Sequence, residues 1–169
     1  ASGLTQGEHV VEIMKITEGA SGTSSFIGFE ILDGNQTALP LPEKPNKKIE
    51  FIGDSWTCGY GNLSQFSTGS ASMENAGYLA RNEDNYYAWG PLAARAIEAE
   101  YQVTAVSGRG LYRNNWDSDN TGNATGTLPK NYDNIIQDNP NPKYRHLWHP
   151  DVVCIHLGTN DLAAEGEVG

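Results

Sequence analysis

Three short polar segments, each directly after an apolar run, contain the residues best suited to chemistry. They are Gly53-Asp54-Ser55, Ser107-Gly108-Arg109 and Gly158-Thr159-Asn160-Asp161. A serine between a strand and a helix exposes its hydroxyl beside the free N–H groups of the helix start, which suits it to nucleophilic attack. Gly108 can bring a backbone N–H close to a developing oxyanion, and Asn160 can add a side-chain amide donor. Together these residues predict acyl transfer through a serine.

The apolar runs before these segments predict a parallel sheet. Residues 49–53, 101–107 and 151–158 read as strands, and the last is so continuously apolar that it should be covered on both faces. Residues 84–99 carry apolar side chains at helical spacing, with a helix start near Gly90-Pro91. Because the carboxyl ends of parallel strands meet at one edge of the sheet, the three polar segments should converge there.

The chain divides near residue 45. Residues 8–17 and 26–32 are rich in β-formers and predict two antiparallel strands, which are marginal in water unless they pack against something else. The stretch "LPLPEKPNKK" over 39–48 predicts an extended connector because its prolines exclude helix. We therefore predict two units, residues 1–45 and residues 46–169.

Composition and charge narrow the partners. With 21 acidic and 11 basic residues the net charge is -10, which disfavours nucleic acid and anionic membranes as partners. No apolar stretch approaches the ~20 residues that span a bilayer. Cys58 and Cys154 can pair or stay free, and neither lies in a metal-binding spacing. The expectation is a protein without metal or cofactor that acts on a neutral substrate.

The four histidines are poorly placed to serve as a base for Ser55. His156 precedes Asn160 by four residues, roughly 13 Å along an extended strand, and is expected to pack within the sheet. His146 and His149 are expected to be loop-edge or structural residues, and His9 to lie on the surface. A serine hydroxyl needs a base to accept its proton, and none of the four histidines is predicted to be that base.

Aromatic side chains near the strand ends can stack on sugar rings. Trp116, within the long polar loop 113–134, and Tyr112 are the predicted substrate-binding residues. Trp56, directly after Ser55, is expected to be part of the core. Arg109 and Arg113 are expected to hold loops through hydrogen bonds.

The segments "FIGDSWTCGYGN", "AVSGRGLYRN" and "VVCIHLGTNDL" resemble the first three signature blocks of the SGNH (GDSL-type) hydrolases. Among these the chain is most similar to carbohydrate esterase family 2, whose members deacetylate xylan and related polysaccharides. The resemblance implies a three-layer α/β/α, flavodoxin-like domain preceded by the last strands of a β-sandwich (jelly-roll) domain. It implies that Ser55 is the nucleophile and that Gly108 and Asn160 contribute to the oxyanion hole. Asp54 and Asp161 match acidic positions that brace the loops.

The resemblance also implies a secreted esterase that acts on acetylated polysaccharide. The triplets at Asn35, Asn62 and Asn123 permit glycosylation, in keeping with an extracellular location. The family usually supplies its histidine from an Asp-x-x-His segment well beyond the Gly-Thr-Asn-Asp block, whereas this sequence ends eight residues after Asp161. We therefore expect a further C-terminal segment to supply the base. Two alternatives remain open: another GDSL-type esterase or lipase, and a non-catalytic carbohydrate-binding or structural module.

Overall fold

The computed structural model describes Thr5 and residues 7–30, 38–64, 79–117, 126–136 and 138–163. The strands within these residues are β1 (Lys47–Gly53), β2 (Ala99–Ala105), β3 (Asn134–Ile136), β4 (Asn139–Lys143) and β5 (Val152–His156). The α-helices are α1 (Ser55–Cys58), α2 (Trp89–Ala96), α3 (Leu128–Asn131) and α4 (Thr159–Leu162), and short 3-10 helices lie at Gly19–Ser21, Ala80–Asn82 and Asn85–Tyr87. None of the helices described is both long enough and apolar enough to cross a bilayer.

The main sheet has three parallel strands in the order β2-β1-β5. Gly53, the last residue of β1, is in register with Ala105 of β2 and with His156 of β5. The three strands therefore end level with one another, and the polar segments that follow them leave from the same edge. This confirms the parallel sheet and the convergence predicted from the sequence.

Helix α2 connects β1 to β2 and packs on one face of the sheet. Phe51 lies at the centre of that contact, with its ring edge-to-face against Trp89 at 5.1 Å and the backbone of Gly90 directly over it. Pro91 falls within the first turn of α2, where its missing N–H costs no hydrogen bond, as predicted. Among the described residues, Ile49, Phe51, Ala94 and Ala99 form one buried hydrophobic cluster.

The other face of β1 is covered by the segment after α3. Glu50 is buried there, and the Tyr132 hydroxyl donates to its carboxylate at 2.9 Å. Burying a carboxylate without a donor would be costly, so this hydrogen bond holds the α3 segment against the sheet. With α2 against one face and Tyr132 against the other, the sheet is contacted on both faces, in keeping with the three-layer α/β/α domain that the resemblance implied.

Strand β5 differs from its prediction. It was expected to be covered on both faces, yet Val152, Val153 and Ile155 are exposed, Ile155 to 65%. The reason is its place at the edge of the sheet, where among the described residues it pairs only with β1. The apolar sequence of β5 is suited to an interior strand, but the described layers cover only β1 and β2.

The two predicted N-terminal strands are not formed within the described residues 7–30. Residues 7–30 contain the 3-10 helix Gly19–Ser21 and no strand, and Ile31 and Leu32 lie outside the described residues. Val10, Val11 and Ile27 are exposed, so these side chains gain nothing from burial. Without neighbouring strands to cover the apolar face, β propensity alone does not hold a hairpin together. The assignment of residues 1–45 to a β-sandwich stays a prediction.

A second, antiparallel sheet was not predicted. It pairs β3 with β4, and β4 has the sequence Asn-Pro-Asn-Pro-Lys, whose prolines argue against a strand. The pairing is short and irregular, as expected for a strand with missing N–H donors. It lies at the end of the predicted polar loop 113–134, of which residues 118–125 are outside the described part.

Candidate active site

Ser55 is the first residue of α1, immediately after the central strand β1. Asp54 caps the helix by accepting the N–H of Trp56 at 3.2 Å. A side chain at position 53 would collide with Thr57, so Gly53 allows the helix to fold back tightly on the strand. Ser55 is partly exposed, and its hydroxyl makes no hydrogen bond within the described part of the chain. The serine is therefore free to meet a substrate.

Asp54 connects the ends of β1 and β5 beneath the serine. It is fully buried, with Asn160 Nδ2 at 3.4 Å from Oδ2 and His156 Nδ1 at 3.9 Å from Oδ1. Burial raises the pKa of Asp54, and the opposing effects of the Trp56 N–H and of His156 do not cancel the rise. Asp54 is thus a bracing residue, in the role that the resemblance implied.

Gly108 lies in the turn after β2 with a φ of 74°, a conformation that favours glycine. A Cβ at this position would also collide with the ring of Trp116, which packs against the turn. The Gly108 carbonyl accepts the N–H of Asn115 at 3.0 Å, while its own N–H donates to no described residue. That N–H is available to an oxyanion.

Asn160 links the segments that carry Ser55 and Gly108. It is nearly fully buried, and its Nδ2 donates to the Arg109 carbonyl at 2.8 Å while making the longer contact with Asp54. One neighbour of this amide thus directly precedes Ser55, and the other directly follows Gly108. The structure brings the segments carrying the three predicted catalytic residues to one edge of the sheet, while their roles stay predictions.

Asp161 braces the loop that follows this turn. Its carboxylate accepts the N–H groups of Leu111 at 2.9 Å, Tyr112 at 2.5 Å and Arg113 at 3.1 Å. Burial by itself would raise the pKa of Asp161, but these three hydrogen bonds outweigh it and hold the pKa below its usual value. The Arg113 side chain bonds in return to the carbonyl oxygens of Asp161 and Ala163.

Arg109 holds the same region from the other side. Its guanidinium bonds to the carbonyl of Gly126 and forms a two-oxygen pair with Asp138 at 2.7 and 2.9 Å. It also lies over the Trp116 ring, 5.0 Å from the centroid. The sequence prediction that Arg109 and Arg113 hold loops is confirmed.

Three aromatic side chains near the strand ends, Trp56, Tyr112 and Trp116, are exposed. Tyr112 and Trp116 are both more than half exposed, as a sugar platform requires. The expectation that Trp56 is a core residue is wrong, because Trp56 is 67% exposed. It projects from the first turn of α1 and, together with Trp89, His156 and Thr159, lines an open depression.

The expectation that His156 packs within the sheet is also wrong. Its side chain is 52% exposed, and it meets Trp89 edge-to-face at 5.9 Å. His156 and Asn160 both contact Asp54, so they are much closer than the separation along an extended strand. The chain turns at Gly158, and α4 folds back over the sheet edge. The separation calculated for an extended strand does not include this turn.

The other histidines agree with the sequence reading. His146 bonds to Asp133 at 2.8 Å and stacks on Tyr132, which is a structural role. His9 and His149 are exposed. Within the described residues, no histidine forms a hydrogen bond with the Ser55 hydroxyl.

Both cysteines are free. Cys58 is buried at the end of α1, and Cys154 is half-buried in β5. Burial raises the pKa of the Cys58 thiol, with the Glu18 and Glu83 carboxylates adding to the effect, so the thiol stays neutral.

Sequence reasoning missed two groups near this edge. The first is the depression of Trp56, Trp89 and His156, for which the only signal was the tryptophan next to Ser55. The second is Glu18, whose carboxylate accepts the N–H of Ser107 at 2.7 Å across 89 residues of chain. No local pattern marks such a contact.

Comparison with known proteins agrees with this architecture. A curated relative, an "Acetylxylan esterase / glucomannan deacetylase" from Cellvibrio japonicus, is 37% identical over 161 residues, covering 95% of this chain and 41% of the relative. A carbohydrate esterase family 2 enzyme with a carbohydrate binding domain, from Corynascus thermopiles (Myceliophthora fergusii), superposes with a TM-score of 0.62 at 36% identity. That superposition covers 76% of this chain and 36% of the other.

A family two carbohydrate esterase from Clostridium thermocellum, solved in complex with cellohexaose, superposes with a TM-score of 0.61 at 31% identity, again covering 76% of this chain and 36% of the other. The chain thus spans well under half the length of each of these proteins. The family described as GDSL-like Lipase/Acylhydrolase matches residues 49–167, which include all three strand-end segments. The chain belongs to the GDSL-like lipase/acylhydrolase family.

Proposed function

We propose that the protein is a serine esterase that removes acetyl groups from a xylan-like polysaccharide through an acyl-serine intermediate. The observation that carries this proposal is the position of the Asn160 amide, which touches the residue before Ser55 and the residue after Gly108. Nucleophile and candidate oxyanion donors thereby share one edge of the sheet. The acetylxylan esterase relative and the carbohydrate esterase neighbours support the choice of substrate.

In this reaction the Ser55 oxygen attacks the acetyl carbonyl, and the N–H of Gly108 donates to the resulting oxyanion. The Asn160 amide donates to it as well, with the N–H that otherwise makes the long 3.4 Å contact with Asp54, while its shorter bond to the Arg109 carbonyl stays in place. The N–H of Ser55, which donates to no described residue at the start of α1, is a third donor. Collapse of the intermediate releases the sugar hydroxyl with a proton and leaves acetyl on Ser55, and water then frees acetate. Donors aimed at the developing charge are each worth about 2.7–4 kcal/mol in the transition state.

We propose that the base that accepts the Ser55 proton comes from an Asp-x-x-His segment outside residues 1–169. The Ser55 hydroxyl makes no hydrogen bond with any residue that the structure describes, which supports this, since a serine needs a base within about 2.6–3.2 Å. His156 is the candidate within the chain to be tested against this proposal, because it lies at the same sheet edge as Ser55.

The exposed aromatic side chains support a glycan substrate. Trp56, Tyr112 and Trp116 offer flat apolar faces to sugar rings, and a net charge of -10 does not oppose a neutral polymer. Since such a polymer is met outside the cell, we propose that the protein acts in the extracellular space.

The direct test is replacement of Ser55 by alanine in the full-length protein. Acetate release from acetylated xylan should disappear while the far-UV circular dichroism stays that of the wild type. Ser25→Ala, in the exposed part of the N-terminal segment, is the matched control and should keep wild-type activity. Normal turnover by Ser55→Ala would refute the nucleophile.

A second candidate function is binding of a β-linked glycan without turnover. The exposed aromatic side chains favour this binding function, and the Clostridium thermocellum neighbour was solved in complex with cellohexaose. Calorimetric titration of the wild type with cellohexaose and with xylan oligosaccharides, combined with its acetate release from acetylated xylan, separates the two: binding by a wild type that never releases acetate would favour the binding function. A GDSL-type lipase would instead cleave p-nitrophenyl palmitate faster than the acetate ester.

A further inference from the structure

One carboxylate oxygen joins the helix of the nucleophile to the turn of the oxyanion donor. Glu18 Oε2 accepts the N–H of Ser107 at 2.7 Å and the thiol of Cys58 at 3.5 Å. Ser107 directly precedes Gly108, and Cys58 ends helix α1, which begins with Ser55. Glu18 comes from the N-terminal segment, outside the sheet that carries the rest of the site.

Glu18 is itself firmly held. Its own N–H donates to Glu83 Oε1 at 2.7 Å, and Ser21 Oγ donates to the second oxygen of Glu83 at 3.3 Å. Glu83 is fully buried. Asn85, two residues after Glu83, donates its N–H to the Ile16 carbonyl at 2.9 Å. The backbone on both sides of Glu18 is therefore anchored, so its carboxylate is a fixed point.

The carboxyl oxygens and the thiol of Glu18, Glu83 and Cys58 lie within 4.8 Å of one another. Glu18 Oε2 and both oxygens of Glu83 already accept protein donors. These hydrogen bonds make the cluster an anchor that joins the N-terminal segment to the rest of the chain.

We propose that Glu18 is a positioning residue of the esterase site, which fixes the Ser107 peptide so that the Gly108 N–H points at the oxyanion. The inference rests on the proposed function. Peptide groups are planar, so only the two backbone rotations of Ser107 separate the N–H held by Glu18 from the N–H of Gly108. The Gly108 carbonyl is held independently by the Asn115 N–H, and Glu18 restrains the other side of the turn.

The test compares Glu18→Ala and Glu18→Gln in the full-length protein, with Glu12→Ala as the control. Glu12 is an exposed carboxylate in the same segment. Glu18→Ala should lower kcat about 10²-fold with KM nearly unchanged, because a small displacement of a catalytic group costs about that much. Glu18→Gln keeps a carbonyl oxygen that can accept the Ser107 N–H and should have an intermediate kcat, while Glu12→Ala should match the wild type.

Amide hydrogen exchange at Ser107 provides a readout that is independent of turnover. Exchange should be slow in the wild type, faster in Glu18→Gln and fastest in Glu18→Ala. Unchanged kcat or unchanged Ser107 exchange in Glu18→Ala would overturn the inference, as would a loss of kcat that Glu18→Gln does not partly recover. If Glu18→Ala does not fold, the comparison of Glu18→Gln with the wild type decides by the same two measurements.

The outcome is separable from that of the proposed function. If Ser55→Ala abolishes acetate release but Glu18→Ala does not lower kcat, the esterase assignment stands and the positioning role falls. If the wild type releases no acetate, the esterase assignment falls, and Ser107 exchange still decides whether Glu18 holds the turn.

Discussion

Glu83 links the N-terminal segment to the body of the domain, and its ionisation should make stability depend on pH. The carboxyl is fully buried, and burial is the main cause that raises its pKa from 4.5 to about 7. The Glu18 N–H opposes that rise and the Glu18 carboxylate adds to it. Between these pH values the folded protein keeps a proton that the unfolded chain has released. Wild-type stability therefore falls as the pH rises from about 4.5 to about 7.

The size of the effect follows from the pKa. Each tenfold change in proton affinity is about 1.4 kcal/mol, so the rise to about 7 corresponds to about 3 kcal/mol at most. Glutamine is neutral at every pH and escapes this cost. In Glu83→Gln the amide oxygen can still accept the Glu18 N–H, and the amide N–H can donate to the Ser21 hydroxyl. We therefore expect Glu83→Gln to gain about 3 kcal/mol relative to the wild type between pH 4 and pH 8.

Urea unfolding of the full-length protein at pH 4, 6 and 8, followed by tryptophan fluorescence, measures this difference. Glu12→Gln, which removes an exposed carboxylate from the same segment, is the control and should follow the wild type at all three pH values. The reasoning would be refuted if the stability difference between Glu83→Gln and the wild type stayed constant within about 0.5 kcal/mol, the usual range of surface substitutions.

Further substitutions test the site and the sheet edge. Asn160→Ala should lower kcat about 10²–10³-fold with little change in KM, and a loss confined to KM would make Asn160 a ground-state binding residue instead. Asp161→Asn should reduce stability near pH 7, and the difference from the wild type should shrink as the pH falls below 3.8. The reason is that the lowered pKa of Asp161 contributes stability only while the carboxyl is ionised. A stability difference that is constant down to pH 3 would contradict this. Trp116→Ala should raise KM for acetylated xylan about 2- to 10-fold at unchanged kcat if the ring is a sugar platform, and an unchanged KM would remove it from the binding site. Residues 1–169 expressed alone should be insoluble or poorly packed and lack esterase activity, because no strand within the described residues pairs with the outer edge of β5 and its apolar side chains are exposed. A soluble, monomeric, active preparation would contradict this.

Several features of this protein follow from its sequence alone. The strands β1, β2 and β5, the helix start near Pro91 and the meeting of three polar strand ends were all predicted. These features depend on local patterns, namely apolar runs that end in glycine and polar residues, and on the rule that parallel strands end at one edge. The loop-holding roles of Arg109 and Arg113 followed from residue type, because a guanidinium can satisfy several carbonyl oxygens at once.

Other features were decided by tertiary structure. The same β-forming pattern gave a strand at β1, where α2 and neighbouring strands bury it, and no strand within residues 7–30, where Val11 and Ile27 stay exposed. The exposure of Trp56 depends on which layers cover the first turn of α1. The distance between His156 and Asn160 depends on the turn at Gly158. Glu18 reaches Ser107 across 89 residues, a contact that no local pattern encodes. Burial and long-range hydrogen bonds are properties of the packed chain, because each requires a partner that is distant in sequence.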